Sequence, residues 1–210
     1  MDIQPIVEGH GDVEAVPVLL RRLQAEASAY GFGILSPIRR KRSDFRNSTS
    51  VAKAVGLALK RGCSAVMILF DSDDDCPLET APAIEEWAKK AAGAIPVVVV
   101  MAKREYEAWF LAAIESLRGK RGIAARATSH PDPEVPRDAK GELEKRMDTG
   151  RTYSETVDQA PLTQDFDFAA AYQACRSFRK LIKAFGDVAR GAWLAAAQLA
   201  SARLVGTGAR

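Results

Sequence analysis

Residues Ala65 to Phe70 read AVMILF, apolar at every position rather than at every second one. A strand with one face in water alternates apolar and polar side chains, so an unbroken apolar run implies burial on both faces. Ile95 to Met101 is another such run, and Ile3 to Val7 reads as a shorter buried strand. Helical spacing fills the gaps: Asp12 to Ala29 carries Val16, Leu19, Leu20 and Leu23, and Asn47-Ser48-Thr49-Ser50 offers N-caps for a helix to Lys60. Further helices are expected from about Pro82 to Ala92 and from Glu105 to Leu117, with one more strand at Ile34 to Ile38. Strands alternating with helices predict an α/β fold, a mostly parallel sheet flanked by helices on both faces.

After Gly119 this rhythm stops. SHPDPEVPRD is a proline-rich loop, Lys140 to Met147 a short charged helix, and Phe166 to Ala202 a largely helical end broken near Gly186 and Gly191. The expected organisation is therefore a core over residues 1–118 and a mainly helical C-terminal extension over 119–210 packed on it. With 210 residues, 47% of them hydrophobic, the chain can bury a sizeable core. The longest apolar run, Ala94 to Ala102, is too short to span a bilayer, and the start MDIQPIVEGHGD has no basic stretch followed by an apolar leader. A cytoplasmic location without a membrane partner is the expectation. Cys63, Cys76 and Cys175 lack CxxC spacing, which predicts free thiols rather than a disulfide framework or a zinc site.

Directly behind Phe70 comes Asp71-Ser72-Asp73-Asp74-Asp75, four acids in five residues. In open α/β sheets, sites form outside the carboxyl ends of the strands, and acids gather at several such ends here. Glu8 follows the first strand, with Asp12 at the start of the helix after it; Asp71 and Asp73 follow Ala65–Phe70; Lys103, Glu105 and Glu107 follow the next strand. Asp71 and Asp73 in extended chain point the same way at about 7 Å. Two carboxylates about 6 Å apart repel by roughly 2.8 kcal/mol at an effective dielectric of about 20, so such a cluster calls for protons, bases or cations. An all-oxygen donor set without neighbouring His or Cys ligands suits Mg²⁺ or Mn²⁺ rather than zinc.

Plainer accounts stand beside this one. Asp74 and Asp75 fit a solvated turn before Pro77 at a helix start. An EF-hand starting at Asp71 fails, because Cys76 and Pro82 fall where Gly and Glu are required. Gly9-His10-Gly11 is a tight turn opening the first helix rather than a phosphate loop, and His10 is either an exposed loop residue or an aid to proton transfer beside Glu8. Trp109, Phe110 and Ile114 have the spacing of core residues. Two basic sets, Arg39, Arg40, Lys41 and Arg42 with Arg46, and Arg176, Arg179, Lys180 and Lys183 on one helical face, are candidate phosphate tracks for DNA or RNA. Their alternative is an ordinary solvated surface.

Glu8-Gly9-x-Gly11-Asp12, Asp71-x-Asp73 and Lys103-x-Glu105-x-Glu107, in that order after successive strands, resemble the TOPRIM metal site of topoisomerases, primases and overcoming-lysogenization-defect nucleases. VEGHGD, FDSDDDCP, AKREYEAWFLA and YSETVDQAPLT resemble more narrowly a family of stand-alone bacterial TOPRIM-like proteins associated with ABC-type ATPases, some of them nuclease effectors of phage defence. The resemblance implies a Rossmann-like core in which Glu8 binds metal or acts as general acid/base, Asp71 and Asp73 hold Mg²⁺, and Asp12 serves a second metal. It leaves Lys103 as a charge-stabilising residue and Glu105, Glu107 and His10 as supporting groups. A Mg²⁺-dependent nuclease follows, with an ATPase partner and self-association as further expectations. The alternatives are a non-catalytic metal-binding partner of that ATPase and a haloacid-dehalogenase-like phosphatase suggested by FDSDD.

Overall fold

The computed structural model describes residues 1–190. It is an α/β structure with a five-stranded, all-parallel sheet flanked by helices, followed by a helical C-terminal part. The strands are β1 (Asp2–Val7), β2 (Gly33–Ile34), β3 (Ile38–Arg39), β4 (Ala65–Asp71) and β5 (Val97–Ala102), ordered β2-β1-β4-β5 with β3 also on β1. β2 pairs with Asp2 and Ile3, and β3 with Ile6 and Val7, so both lie along one edge of β1. The single strand expected at Ile34–Ile38 is thus two short pieces. Pro37 between them has no N–H to give the ladder, and the Ser36 carbonyl turns instead to the side chains of Gln4 and Arg61.

β4 explains its own composition. Val66, Ile68 and Phe70 face one apolar cluster with Val51, Val55, Ile84 and Ala88, from α2 (Ser48–Lys60) and α3 (Pro77–Ala92). Met67 and Leu69 face the other, with Val16, Leu19 and Leu20 of α1 (Asp12–Glu26) and with Trp109 and Phe110 of α4 (Glu107–Ala112). Asn47 caps α2, its side chain accepting from Ser50 N at 3.1 Å. The helix expected from Pro82 begins at Pro77, a first-turn position where the missing N–H leaves nothing unpaired, and Pro82 lies inside it. The helix expected over Glu105–Leu117 stops at Ala113, and Ile114–Leu117 is a 3₁₀ turn.

The C-terminal part comprises α5 (Ala139–Glu144), a π-helical turn at Glu155–Gln159 running into α6 (Ala160–Asp165), α7 (Phe168–Ala174) and α8 (residues 176–190). Leu143, Leu162, Phe166, Phe168, Phe178 and Leu181 are buried in the same cluster as α1 and α4. α8 runs through Gly186, where the sequence predicts a break; the interruption falls at Cys175, whose backbone is extended. Gly191 and Ala202 lie outside the described residues. The proline-rich loop caps α8, since its Glu134 accepts from Arg176 N at 2.9 Å and from Ser177 N at 2.8 Å. None of the described helices is long and apolar enough to cross a membrane. Cys63, Cys76 and Cys175 are free.

Candidate functional site

In this sheet the strand order reverses between β1, whose chain leaves toward β2 and β3, and β4, whose chain leaves toward β5. The crevice at such a switch point is where open α/β sheets place their ligands. A cavity of about 380 Å³ lies there, lined by Glu8, Asp12, Asp71, Asp73, Glu105 and Glu107 together with Gly9, His10, Arg39, Lys41, Arg42, Lys140, Glu155 and Gln159. Acids from the ends of β1, β4 and β5 therefore converge. Lys103, Arg40 and Arg179, all half-buried, and the exposed Arg176, Lys180 and Lys183 lie outside this lining. Arg179 instead donates to the carbonyls of Tyr172 and Gln173 at the end of α7, at 2.7 and 2.9 Å.

The aspartate loop is held by two residues in left-handed conformation, Asp73 (φ 47°) and Arg104 (φ 63°). Asp73 N donates to the Arg104 carbonyl at 2.9 Å, and Arg104 N to Ser72 Oγ at 2.8 Å. The ends of β4 and β5 are thereby joined side by side, with Ser72 fully buried between them. Arg104 also donates to Asp74 Oδ1 at 2.7 Å, so in the KRE segment this arginine ties the loop rather than Lys103. Asp71 Oδ1 accepts from Tyr106 N at 2.9 Å, fixing the carboxylate against the loop after β5.

Two basic residues stand among the acids. Arg42 forks across the loop: its Nη2 reaches Asp75 at 2.6 Å and the Ser72 carbonyl at 2.9 Å, its Nη1 the Asp71 carbonyl and Glu8 Oε2, the latter at 3.4 Å. Its Nε is 3.9 Å from Asp73, and its guanidinium lies 5.1 Å from the centre of the Phe70 ring. Asp75, read from sequence as part of a solvated turn, is thus an anchor for Arg42. The second base is Lys140 on α5, whose Nζ is 2.9 Å from Glu155 Oε2 and whose N–H donates to Glu105 Oε2 at 2.9 Å.

Burial makes this floor electrostatically costly. Desolvation, then repulsion from Asp12 and Glu107, holds the Asp71 carboxyl well above the usual range. Glu107, 0% exposed, is pushed up to about 7 by burial, against the lowering pull of Lys140 and of the Tyr153 hydroxyl that donates to its Oε1 at 2.8 Å. Burial also raises Asp12, although Gly9 N and Gln159 Nε2 donate to its two oxygens at 2.9 and 2.8 Å. Glu8 is raised by burial in spite of Arg42. Burial alone would lower Lys140, but Glu107, Glu155 and Asp71 together hold its ammonium above the usual value.

The donor chemistry fits a hard divalent cation: all carboxylate oxygen, with Glu107 Oε2 buried and without a hydrogen-bond partner, and Asp71 bonded through Oδ1 alone among the described residues. Among the described residues, however, no three His, Cys, Asp or Glu side chains form a closed ligand set. Arg42 pairs with Glu8 and Asp75, and Lys140 with Glu155.

Lys140, Tyr153, Glu155 and Gln159 are not expected at the site from their spacing. Each comes from the polar C-terminal part, and the π turn that places Glu155 and Gln159 is a form of helix often found at functional sites. Gly11 shows how closely this segment packs, since a Cβ there would lie 2.0 Å from Gln159 Oε1 and 2.6 Å from the Glu155 carbonyl oxygen. Its backbone is right-handed helical, so proximity requires the glycine rather than conformation.

Residues 7–185 match the protein family described as Domain of unknown function (DUF4276). The chain belongs to this family. The matched region begins at the end of β1 and runs into α8, so the DUF4276 region takes in every residue lining the crevice and both parts of the chain. No curated protein and no solved structure matches.

Proposed function

We propose that this member of the DUF4276 family is a Mg²⁺- or Mn²⁺-dependent nuclease with a TOPRIM-like site, acting on DNA or RNA. The observation that carries the reading is the convergence of Glu8, Asp12, Asp71 and Asp73 from separate strand ends into one crevice at the switch point of the sheet. Their order along the chain matches the resemblance noted above. In this reading Glu8, Asp71 and Asp73 hold the ion, with Glu107 and Asp12 completing the acidic floor. Bound there, the ion would activate water and stabilise the departing oxygen of a phosphodiester. Arg39 and Lys41, exposed at the rim of the same crevice, supply positive charge for a phosphate backbone. Arg42, fixed by backbone carbonyls and Asp75, would present its guanidinium beside the reacting phosphate. The association with an ABC-type ATPase and with phage defence rests on the resemblance.

The test is cleavage of plasmid DNA and of single-stranded RNA with Mg²⁺ or Mn²⁺, alone and with the cognate ATPase. Asp73→Ala and Glu8→Gln should abolish cleavage while nucleic-acid binding persists, because the metal site carries the chemistry and the basic rim the binding. A second reading, a non-catalytic partner of the ATPase, draws on the engagement of Glu8 and Asp73 by Arg42. Cleavage that survives Asp73→Ala, or that never occurs on any substrate with metal and partner present, would favour it.

A further inference from the structure

The carboxyl groups in the buried half of the crevice outnumber its one base, Lys140. Asp71, Glu107 and Glu155 line the crevice together with Lys140, yet among the described residues the only side-chain oxygen its ammonium reaches is Glu155 Oε2, at 2.9 Å. Among the described residues Glu107 Oε2 is left without any partner although Glu107 is fully buried, a condition that costs free energy. The two bases of the site also differ in how they are held. Arg42 is locked to two backbone carbonyls and to Asp75. Among the described residues Lys140 has one ion pair, and its partner carboxylate is 37% exposed.

We infer that Lys140 is a resident counter-ion of this acidic floor, and that it gives up its place among Glu107, Asp71 and Glu155 when a divalent cation enters, while Arg42 stays. This rests on the metal-site reading above and adds to it an exchange of charges within the site. A single ammonium donates along its own N–H directions and carries one charge; a divalent ion answers more than one carboxylate at once. Freed from the floor, the Lys140 side chain swings toward solvent on the Glu155 side, where a phosphate oxygen can meet it. The site would then go from a metal-free state partly neutralised from within to a loaded state with an added positive charge at its edge.

The exchange is tested on the full-length wild-type chain by isothermal titration with Mn²⁺ and by acetylating accessible lysines with acetic anhydride, read by mass spectrometry with and without the ion. Modification of Lys140 should rise severalfold with Mn²⁺, while Lys103, outside the crevice, stays unchanged as an internal reference. Lys140→Gln should bind Mn²⁺ at least about tenfold more tightly than wild type, because the competing charge is gone, and Lys140→Arg should not. Manganese binding by the wild type with Lys140 equally or less modified overturns the exchange and leaves the metal site standing. No gain in affinity for a folded Lys140→Gln does the same. Absence of Mn²⁺ binding to the wild type overturns both; should Lys140→Gln fail to fold, the labelling of the wild type decides.

Discussion

Gln159 donates through Nε2 to Asp12 Oδ1 at 2.8 Å, a buried contact between residues 147 positions apart. It brings the π turn of the C-terminal part onto the first turn of α1, where Gly9 N takes the other Asp12 oxygen. The C-terminal segment is thus a wall of the crevice, and Gly11 is where the two meet.

Gly11→Ala should therefore disturb the site although alanine is the better helix former. The new methyl group meets the Glu155 carbonyl at 2.6 Å, a backbone atom that no rotamer change removes. The expected cost is about 1–3 kcal/mol, as for an overpacked core, measured by urea denaturation. Gln159→Ala should cost a similar amount through the unpaired Asp12 oxygen, without the steric contribution. A variant Gly11→Ala as stable as wild type would show that the π turn is not packed on α1 in this way.

Arg42 offers a second test. Its side chain is 19% exposed and its partners include the main-chain carbonyls of Asp71 and Ser72. Arg42→Ala should destabilise the protein by about 1–3 kcal/mol, since it takes the guanidinium from the Asp71 carbonyl and leaves Asp75 with Arg46 and the Ser72 carbonyl with Asp75 N. Arg42→Lys should recover only part of this, because an ammonium cannot reproduce the planar fork. Thermal denaturation of the three proteins in metal-free buffer gives the ranking.

The sequence makes some of this legible and hides the rest for a physical reason. AVMILF reads as a strand covered on both faces, and acids at the ends of parallel strands share an edge, so the meeting of Glu8, Asp71 and Asp73 in one crevice is legible from pattern. Periodicity follows local burial, and it fails where a residue is placed by a distant chain path. Lys140, Tyr153, Glu155 and Gln159 sit in a polar, irregular stretch whose route back to β1 and β5 leaves no repeat in the sequence. The YSETVDQAPLT stretch stands out only through resemblance, yet it supplies partners for Glu107, Lys140, Asp12 and Tyr106. Gly186 misleads for the opposite reason: a helix anchored by Val188, Phe185 and Leu181 in the core carries one glycine without breaking.

Stability in metal-free buffer should fall as pH rises from about 4.5 toward 7. Glu107 has an ordinary value of 4.5 and is raised to about 7 in the fold, so the folded state binds its proton more tightly than the unfolded chain. A raised carboxyl contributes its full stabilisation below the unfolded value and loses it as pH climbs through the folded value, here on the order of 3 kcal/mol at most. Asp71, also raised, adds to the slope in the same direction. Urea denaturation at pH 5.5 and pH 8 should show the loss for wild type and a smaller one for Glu107→Gln. Equal slopes for the two proteins would remove Glu107 as its source.

The same protons set how strongly a divalent ion should stabilise the fold. At low pH the ion must displace protons from the buried acids, whereas above about 7 it meets Glu107 already ionised. Millimolar Mg²⁺ should raise Tm at pH 8 by more than at pH 6, and the gain should grow with the logarithm of concentration once the site is near saturation. Asp71→Asn should reduce that gain at both values, because it removes a donor at the centre of the floor, whereas Lys103→Ala, outside the crevice, should leave it intact. Differential scanning fluorimetry across both pH values and a magnesium series measures all of this. A Tm indifferent to Mg²⁺ at pH 8, or a gain that Asp71→Asn does not diminish, would mean that the acids of the crevice do not hold the ion.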